Sequence, residues 1–157
     1  MIDALLLVLV ANGTPIIADR LLDKRYAWPV DFNTRAPDGN PWFGESKTFR
    51  GMVLAMLVTS VAALLIGYSW QLGALIGLLA MVGDLLSSFI KRRMGMSVHS
   101  QAPGLDQVPE ALVPLAVMAG PLGLQWYEVI VAVIVFWMLE LLLSRLLYKL
   151  HIRKQPY

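Results

Sequence analysis

The chain has 157 residues, 57% of them hydrophobic, and carries 13 basic and 11 acidic side chains for a net charge of +2. Several runs approach the ~20 apolar residues that span a bilayer, which excludes an ordinary soluble domain. Cysteine is absent and only His99 and His151 supply imidazoles, so disulfides, thiol catalysis and a histidine-based metal cluster are excluded as well.

Five hydrophobic segments follow one another and predict an all-α bundle of five transmembrane helices that forms a single membrane domain over residues 1–157. The first segment lacks the basic start of a signal peptide, so we expect it to remain as a helix. Two tight turns and two long polar loops connect the segments. The helices are predicted at 2–18, 51–69, 72–90, 111–126 and 127–148, with long loops at 19–50 and 91–110.

The basic residues are distributed asymmetrically. All 13 lie in residues 20–50, in residues 91–93 or from residue 145 onward, and the tight turns have none. With five helices, both long loops and the C-terminus share one side. The positive-inside rule makes that side cytoplasmic and places the N-terminus outside. We therefore expect a multi-pass cell-membrane protein whose charged side faces the cytoplasm.

The first helix is interrupted by Asn12 and Pro15 near its inner half. A broken membrane helix frees backbone groups, which are tolerated only where protein or water covers them. These residues either line a cavity or adapt the packing of the helix, and the sequence favours neither interpretation.

The first long loop ends with Ser46, Lys47 and Thr48, just before the second helix. Ser46 is predicted to be the N-cap, which would place Lys47 and Thr48 in the first helical turn. A lysine there opposes the helix dipole unless an anion is bound, so this end could form a phosphate site. The alternative is a turn followed by membrane-surface cations.

The third helix carries Asp84, the one ionisable residue between Leu72 and Ile90. A charged side chain at the bilayer centre costs at least ~2.5–3.5 kcal/mol. Helical spacing places Asp84, Ser88 and Lys91 on one face. Lys91 begins a run of three cations, which could serve only as a topology anchor. An anchor would not need an acid such as Asp84 on the same face of the helix.

The second long loop contains Asp106, either an N-cap of the fourth helix or a second carboxylate that meets Asp84. Two carboxylates without histidine or cysteine suit a hard cation such as Mg²⁺, held together with substrate phosphates. Glu140, within the fifth helix, is predicted to face the bundle or a surface pocket, or to pair with a cation such as Arg145, and a structural role is favoured. His99 is predicted to be solvated.

Several short motifs occur in a specific order along roughly residues 8–117. They are Asn12-x-x-Pro15, Asp38-Gly39, Phe43-Gly44-x-Ser46-Lys47-Thr48-x-Arg50-Gly51, Gly83-Asp84-x4-Phe89-Ile90-Lys91-Arg92-Arg93 and Leu105-Asp106-Gln107. The set resembles the CDP-archaeol synthase family, small five-span membrane CTP transferases. Part of it is similar to CDP-diacylglycerol synthases, but the full Pro-Gly-His-Gly-Gly run is missing and Gln107 stands where those enzymes have arginine.

The resemblance implies that CTP and a lipid phosphate give a CDP-lipid and pyrophosphate in phospholipid biosynthesis. The lipid implied is an unsaturated archaetidic acid with two isoprenoid ether chains. The implied cofactor is Mg²⁺ or Mn²⁺, and no nucleic acid takes part. Asp84 and Asp106 match metal-binding acids, and with Lys91 they are the expected catalytic residues. The expected CTP and phosphate-binding residues are Asp38, Gly39, Lys47, Thr48, Arg50, Ser88, Arg92, Arg93 and Gln107, with Asn12 and Pro15 on the lipid side or structural.

Other functions remain open at this point. The chain could be a small ion-coupled transporter that uses Asp84, or a CTP transferase acting on phosphatidic acid or a polyprenyl phosphate. A transporter should carry polar groups through the full depth of the bundle. The second helix is polar only at Thr59 and Ser60, which favours a site open to one side.

Overall fold

The computed structural model describes residues 1–23, 25–98 and 100–149. The side chains at 145 and 147–149 lie outside this description, as do His99 and His151, so the predictions for His99 and for a pair with Arg145 fall outside it too. The described chain forms five α-helices. They are α1 (Ile2–Leu22), α2 (Phe49–Leu65), α3 (Trp70–Arg93), α4 (Gln107–Val117) and α5 (Trp126–Lys149).

The prediction of an all-helical membrane protein is confirmed. Within the described residues, α1, α3 and α5 are long and apolar enough to cross a membrane, whereas α2 and α4 are shorter apolar helices. The fourth helix ends at Val117 rather than residue 126, because the chain turns through Gly120–Gly123 and the Leu124 N–H donates to the Ala119 carbonyl at 2.8 Å. The loops preceding α2 and α4 lie at the end of the bundle where α3 finishes.

Small residues bring α2 and α3 into backbone contact. A Cβ built on Gly73 would lie 2.4 Å from the Thr59 carbonyl oxygen, and one on Gly77 would lie 2.8 Å from the Ala55 carbonyl oxygen. This spacing is the small-xxx-small pattern that lets membrane helices approach closely. The contact fixes α3 against α2, whose first residues follow directly after Lys47.

Gly83 plays the same part between α3 and α4. A Cβ at this position would lie 2.2 Å from the Pro109 carbonyl oxygen and 2.9 Å from the Glu110 Cα. Only glycine therefore allows α4 to approach so closely. The contact brings the acidic residues of α3 and α4 to the same level of the bundle.

The apolar core fills the end of the bundle remote from the long loops. Its fully buried side chains include Leu7 of α1, Ile76 of α3, Leu115 of α4 and Phe136 of α5. Helices α1 and α5 contact one another along little of their length, and this core does not extend to the loop end of the bundle. A polar cavity occupies that end.

We predict that Gly83→Ala lowers the free energy of unfolding by about 1–3 kcal/mol, because the added methyl group forces α3 and α4 apart. Thermal unfolding in detergent would measure the effect. Gly13→Ala is the matched control within α1, where a Cβ meets nothing within 4 Å. The control should be neutral or stabilising by up to about 1 kcal/mol, and equal destabilisation of both variants would contradict the close contact.

Candidate active site

A cavity of about 740 Å³ lies between α1, α3, α4 and α5 and is bordered by the two long loops. Most of the residues predicted from sequence line it, although they come from three helices and two loops. The predicted residues that the structure brings to this cavity are Asn12, Pro15, Lys47, Asp84, Ser88, Lys91, Arg92, Asp106 and Gln107.

Lys47 and Asp84 form an ion pair on one wall of the cavity. The Lys47 ammonium donates to both Asp84 carboxylate oxygens, at 2.5 and 2.7 Å. Burial alone would lower the pKa of Lys47, but the carboxylates of Asp84, Glu110 and Asp106 outweigh it and the net shift of the pKa is upward. Lys47 is therefore a fixed cation at neutral pH.

Lys91 and Asp106 form a second ion pair, with 2.5 Å between Nζ and Oδ1. Lys91 also donates to the Ser100 carbonyl at 3.0 Å, and the other oxygen of Asp106 accepts from the Ala102 N–H at 2.8 Å. Asp106 occupies the N-cap position of α4, but its side chain makes no capping hydrogen bond. Its carboxylate instead joins the loop to the last turn of α3.

The Arg92 guanidinium is the buried cation of the cavity with open hydrogen-bonding positions. Arg92 is 3% exposed, and its Nε and Nη1 atoms have no hydrogen-bond partner among the described residues. A buried N–H without an acceptor costs about 1–3 kcal/mol, and more for a charged group. Because Arg92 borders the cavity, its guanidinium is a candidate donor for an anion that binds there.

Arg50 lies away from the cavity. Its guanidinium donates to the carbonyls of Asp23 at 2.9 Å and Arg25 at 2.5 Å, and it forms an ion pair with Asp19. These contacts join the end of α1 to the start of α2 and use the Nη1 and Nη2 donors of Arg50 within the protein.

The predicted N-cap Ser46 is wrong. Helix α2 begins at Phe49, and the Thr48 hydroxyl accepts the capping hydrogen bond from the Gly51 N–H at 3.2 Å. Lys47 therefore precedes the helix instead of lying in its first turn. Thr48 lines a small pocket of about 30 Å³ beside Lys47 and Asp84, while Ser46 lines the main cavity.

Asp38 and Arg93 form a separate contact, and neither they nor Gly39, the residue after Asp38, line the cavity. Arg93 pairs with Asp38 at 2.8 Å and donates to the Pro41 carbonyl at 2.6 Å. Its guanidinium lies 5.7 Å from the ring centre of Trp42 and 5.3 Å from that of Phe89. Arg93 thus fixes the first long loop to α3, although its neighbour Arg92 faces the cavity.

Sequence reasoning missed Asp31, which organises the first long loop. Its buried carboxylate accepts hydrogen bonds from the backbone N–H groups of Asn33 at 3.0 Å, Phe43 at 3.0 Å and Gly44 at 2.8 Å. Burial would raise the pKa of Asp31, but these donors outweigh it and hold the pKa below its usual value. The Asp31-x-Asn33 turn pattern was the available signal.

Two glutamates also line the cavity. Glu110 of α4 lies beside the Asp84 carboxyl group and close enough to Glu140 of α5 for an electrostatic interaction between the two acidic side chains. Glu110 follows Asp106 by four residues, so a helical face shared with Asp106 could have indicated it. Glu140 of α5 borders the same cavity, and the structural role predicted for it stays a prediction.

The donor chemistry of the cavity fits a hard divalent cation. Asp84 and Asp106 offer carboxylate oxygens, and lysines pair with both of them. No group of three histidine, cysteine or acidic side chains within the described residues is arranged to hold a metal by itself. Such a site would need oxygens from water or a bound phosphate, which is the usual mode for Mg²⁺.

Comparisons with known proteins point to one family. A protein-family model described as CarS-like, CDP-archaeol synthase, matches residues 66–157. The chain is 33% identical to the CDP-archaeol synthase of Sulfurisphaera tokodaii, covering 95% of this chain and 90% of the relative. It is 32% identical to that of Pyrobaculum calidifontis, covering 94% and 91%.

One solved structure, of an intramembrane enzyme for archaeal membrane lipid biosynthesis, superposes with a TM-score of 0.74. The two sequences are 32% identical, and the match covers 91% of each chain. The helical bundle is therefore similar to that of a known membrane enzyme over nearly its whole length.

We predict that Asp31→Asn lowers the free energy of unfolding at pH 7 by about 1–3 kcal/mol, because an amide cannot accept from all three N–H donors. Because the folded pKa is depressed, this stabilisation exists above the unfolded pKa of about 3.9 and disappears as pH falls through the folded value. Unfolding midpoints measured against pH should therefore converge for the two proteins in acid.

Asp3→Asn, at the other end of the bundle, is the control for the Asp31 measurement. Asp3 is exposed and makes one long hydrogen bond, 3.4 Å, with the Tyr68 hydroxyl. We expect no change in stability for this variant. A constant difference between Asp31→Asn and wild type down to strong acid would contradict the role of the Asp31 charge.

Proposed function

The chain belongs to the CDP-archaeol synthase family, and from this premise we propose how its cavity transfers a cytidylyl group from CTP to a lipid phosphate. Membership makes it a CTP-dependent cytidylyltransferase of archaeal lipid biosynthesis, which leaves the ion-coupled transporter without support. The observation that carries our assignment of the site is the buried Arg92 guanidinium, with two open donor positions beside two lysine–aspartate pairs.

The reaction depends more on the neutralisation of negative charge on the phosphates than on proton transfer. An oxygen of the lipid phosphate forms a bond to the α-phosphorus of CTP, while the bond from that phosphorus to the bridging oxygen breaks and pyrophosphate leaves with the electron pair. The attacking oxygen is already anionic at neutral pH, so no strong general base is needed. Fixed cations must bring two polyanions together and stabilise the charge that develops on pyrophosphate.

Three cations of this chain are placed for that task. Lys47 comes from the loop before α2, and Lys91 and Arg92 come from the last turns of α3. We assign them to the phosphates of CTP, with Arg92 binding through its guanidinium group. Ser88 and Gln107 line the same wall and can donate further hydrogen bonds.

Asp84 and Asp106 are the residues that would hold the divalent metal expected for this family. A bound Mg²⁺ or Mn²⁺ supplies charge neutralisation and orientation of phosphate oxygens. Each aspartate now neutralises one lysine. If the carboxylates bind the ion instead, Lys47 and Lys91 become available to the nucleotide.

The lipid side of the cavity is assigned to α1 and α5. Asn12, Pro15 and Ile16 line it from α1, and Glu140 and Ser144 line it from α5. These two helices meet along little of their length, so a lipid phosphate could enter between them from the bilayer. We propose an archaetidic-acid-like lipid with two isoprenoid ether chains.

We further propose that all five helices cross the bilayer, with the N-terminus outside and the site open to the cytoplasm, where CTP is made. The support is the position of the basic residues, which occur in both long loops and toward the C-terminus. The loop end of the bundle then coincides with the cationic side of the membrane.

We predict that the purified protein with labelled CTP and Mg²⁺ converts the diether lipid phosphate to a CDP-lipid and releases equimolar pyrophosphate. Phosphatidic acid and a polyprenyl phosphate complete the substrate panel. The Sulfurisphaera tokodaii relative serves as a positive control in the same assay. No product from any lipid, while the relative is active, would contradict the reaction, whereas preference for phosphatidic acid would contradict only the substrate.

We predict that Arg92→Gln lowers kcat/KM for CTP by about 10²–10³-fold, the usual loss when one preorganised donor to developing charge is removed. The adjacent substitution Arg93→Gln is the matched comparison, since its guanidinium contacts Asp38 and Pro41 outside the cavity. We expect Arg93→Gln to affect stability more than CTP kinetics. Equal kinetic losses at both positions would contradict the assignment of Arg92.

A further inference from the structure

Four aromatic residues lie in the first turn of α2 or in the loop segment that is hydrogen-bonded to it, and none of them lines the cavity. They are Tyr26, Trp28, Phe32 and Phe49, which we call the aromatic patch. Tyr26, Trp28 and Phe32 are 73%, 68% and 70% exposed, and the Phe32 and Phe49 ring centres lie 5.4 Å apart. Large aromatic side chains clustered on a surface indicate an interaction site, since single exposed apolar residues are normal but contiguous ones are not.

The backbone fixes this patch in place. The Phe49 N–H donates to the Trp28 carbonyl at 3.1 Å, and the Arg50 guanidinium donates to the Arg25 carbonyl just before Tyr26. Tyr26 and Phe32 adopt left-handed backbone conformations, with φ of 56° and 48°. Bulky residues rarely take this conformation, so the fold accepts strain where these rings turn outward.

The patch continues the outward apolar face of α2. Phe49 is followed at helical spacing by Val53, Leu57 and Val61, all more than half exposed. In a membrane enzyme this stripe faces lipid. Phe32 packs on its first member, so the patch extends the lipid-facing surface past the end of the helix.

We propose that the aromatic patch docks the first long loop onto the bilayer, with its rings at the boundary between headgroups and hydrocarbon. Trp and Tyr prefer this depth because their rings are apolar with one polar atom. Arg25, exposed beside the patch, reaches anionic headgroups from the same level. The occupant is the lipid surface, which continues without interruption from the α2 stripe.

The docked segment is connected directly to the cavity. The Val30 N–H donates to the Lys47 carbonyl at 2.8 Å, and Asp31 holds Phe43 and Gly44, just before Lys47. Docking of the patch therefore sets the position of Lys47 relative to the membrane. This consequence rests on the proposed function, but the docking does not.

Site-directed spin labelling tests the docking, because the chain has no cysteine and a single introduced one is unique. Trp28→Cys and Phe32→Cys would be labelled in vesicles that contain a quarter anionic lipid, roughly the charge of a natural leaflet. Val53→Cys is the lipid-facing reference. Pro37→Cys, exposed in the same loop but away from the patch, is the aqueous reference.

We expect labels at positions 28 and 32 to be more accessible to oxygen than to a water-soluble nickel reagent, as is expected for the label at position 53. At position 37 we expect the label to be more accessible to the nickel reagent than to oxygen. Nickel accessibility at 28 and 32 equal to that at 37 would overturn the docking. Low accessibility to both reagents would also overturn it and indicate a protein partner, such as a second copy. Activity is not needed for any of these readings, so a failed assay for CTP transfer leaves the result intact.

Discussion

The ion pair between Lys47 and Asp84 is the interaction on which the rest of the structure depends. It joins a loop residue to the middle of a membrane helix, with less than a quarter of either side chain exposed. Two charges removed from water seldom gain enough from each other to stabilise a protein, although removal of one partner costs about 3–5 kcal/mol. Such a pair is retained where its charges are needed, and here both line the cavity.

Three unusual features of the fold serve to place this pair and its neighbour, Lys91–Asp106. Glycines in α3 allow α2 and α4 to touch its backbone, which brings Asp84 and Glu110 to one level. Asp31 fixes the loop before Lys47 through three backbone donors. Arg50 joins the end of α1 to the start of α2 through Asp19 and the Asp23 carbonyl. The packing of the bundle thus holds these charged side chains in position, in addition to burying the apolar core.

The sequence predicted the helices and the cavity residues of α3 well, because hydrophobic runs and an acid inside a membrane helix are strong local signals. Asp84, Ser88 and Lys91 follow from helical spacing alone, and the structure brings all three to the cavity. Helical spacing did not show which of Arg92 and Arg93 faces the cavity, because two adjacent cations differ only in the side of the helix on which they lie. Whether α2 and α4 cross the whole bilayer stays a prediction.

The residues that sequence reasoning misplaced or missed depend on contacts distant along the chain. The Asp31 carboxylate accepts hydrogen bonds from the backbone of Phe43 and Gly44, about a dozen positions further along the chain. No periodicity in the loop indicates such bonds. Asp38 was expected beside the nucleotide but pairs with Arg93 outside the cavity. The choice of Thr48 over Ser46 as N-cap depends on where α2 begins, and helix ends are the least certain feature of any sequence pattern.

Asp84 would hold the divalent ion expected for this family in place of its pair with Lys47, and calorimetric titration of CTP with and without Mg²⁺ tests that role most directly. For the wild type we predict at least about tenfold tighter binding with Mg²⁺, which corresponds to about 1.4 kcal/mol. For Asp84→Asn we predict that this gain disappears, while metal-free CTP binds at least as tightly as to the wild type because Lys47 is released. An unchanged Mg²⁺ gain in Asp84→Asn would contradict the account.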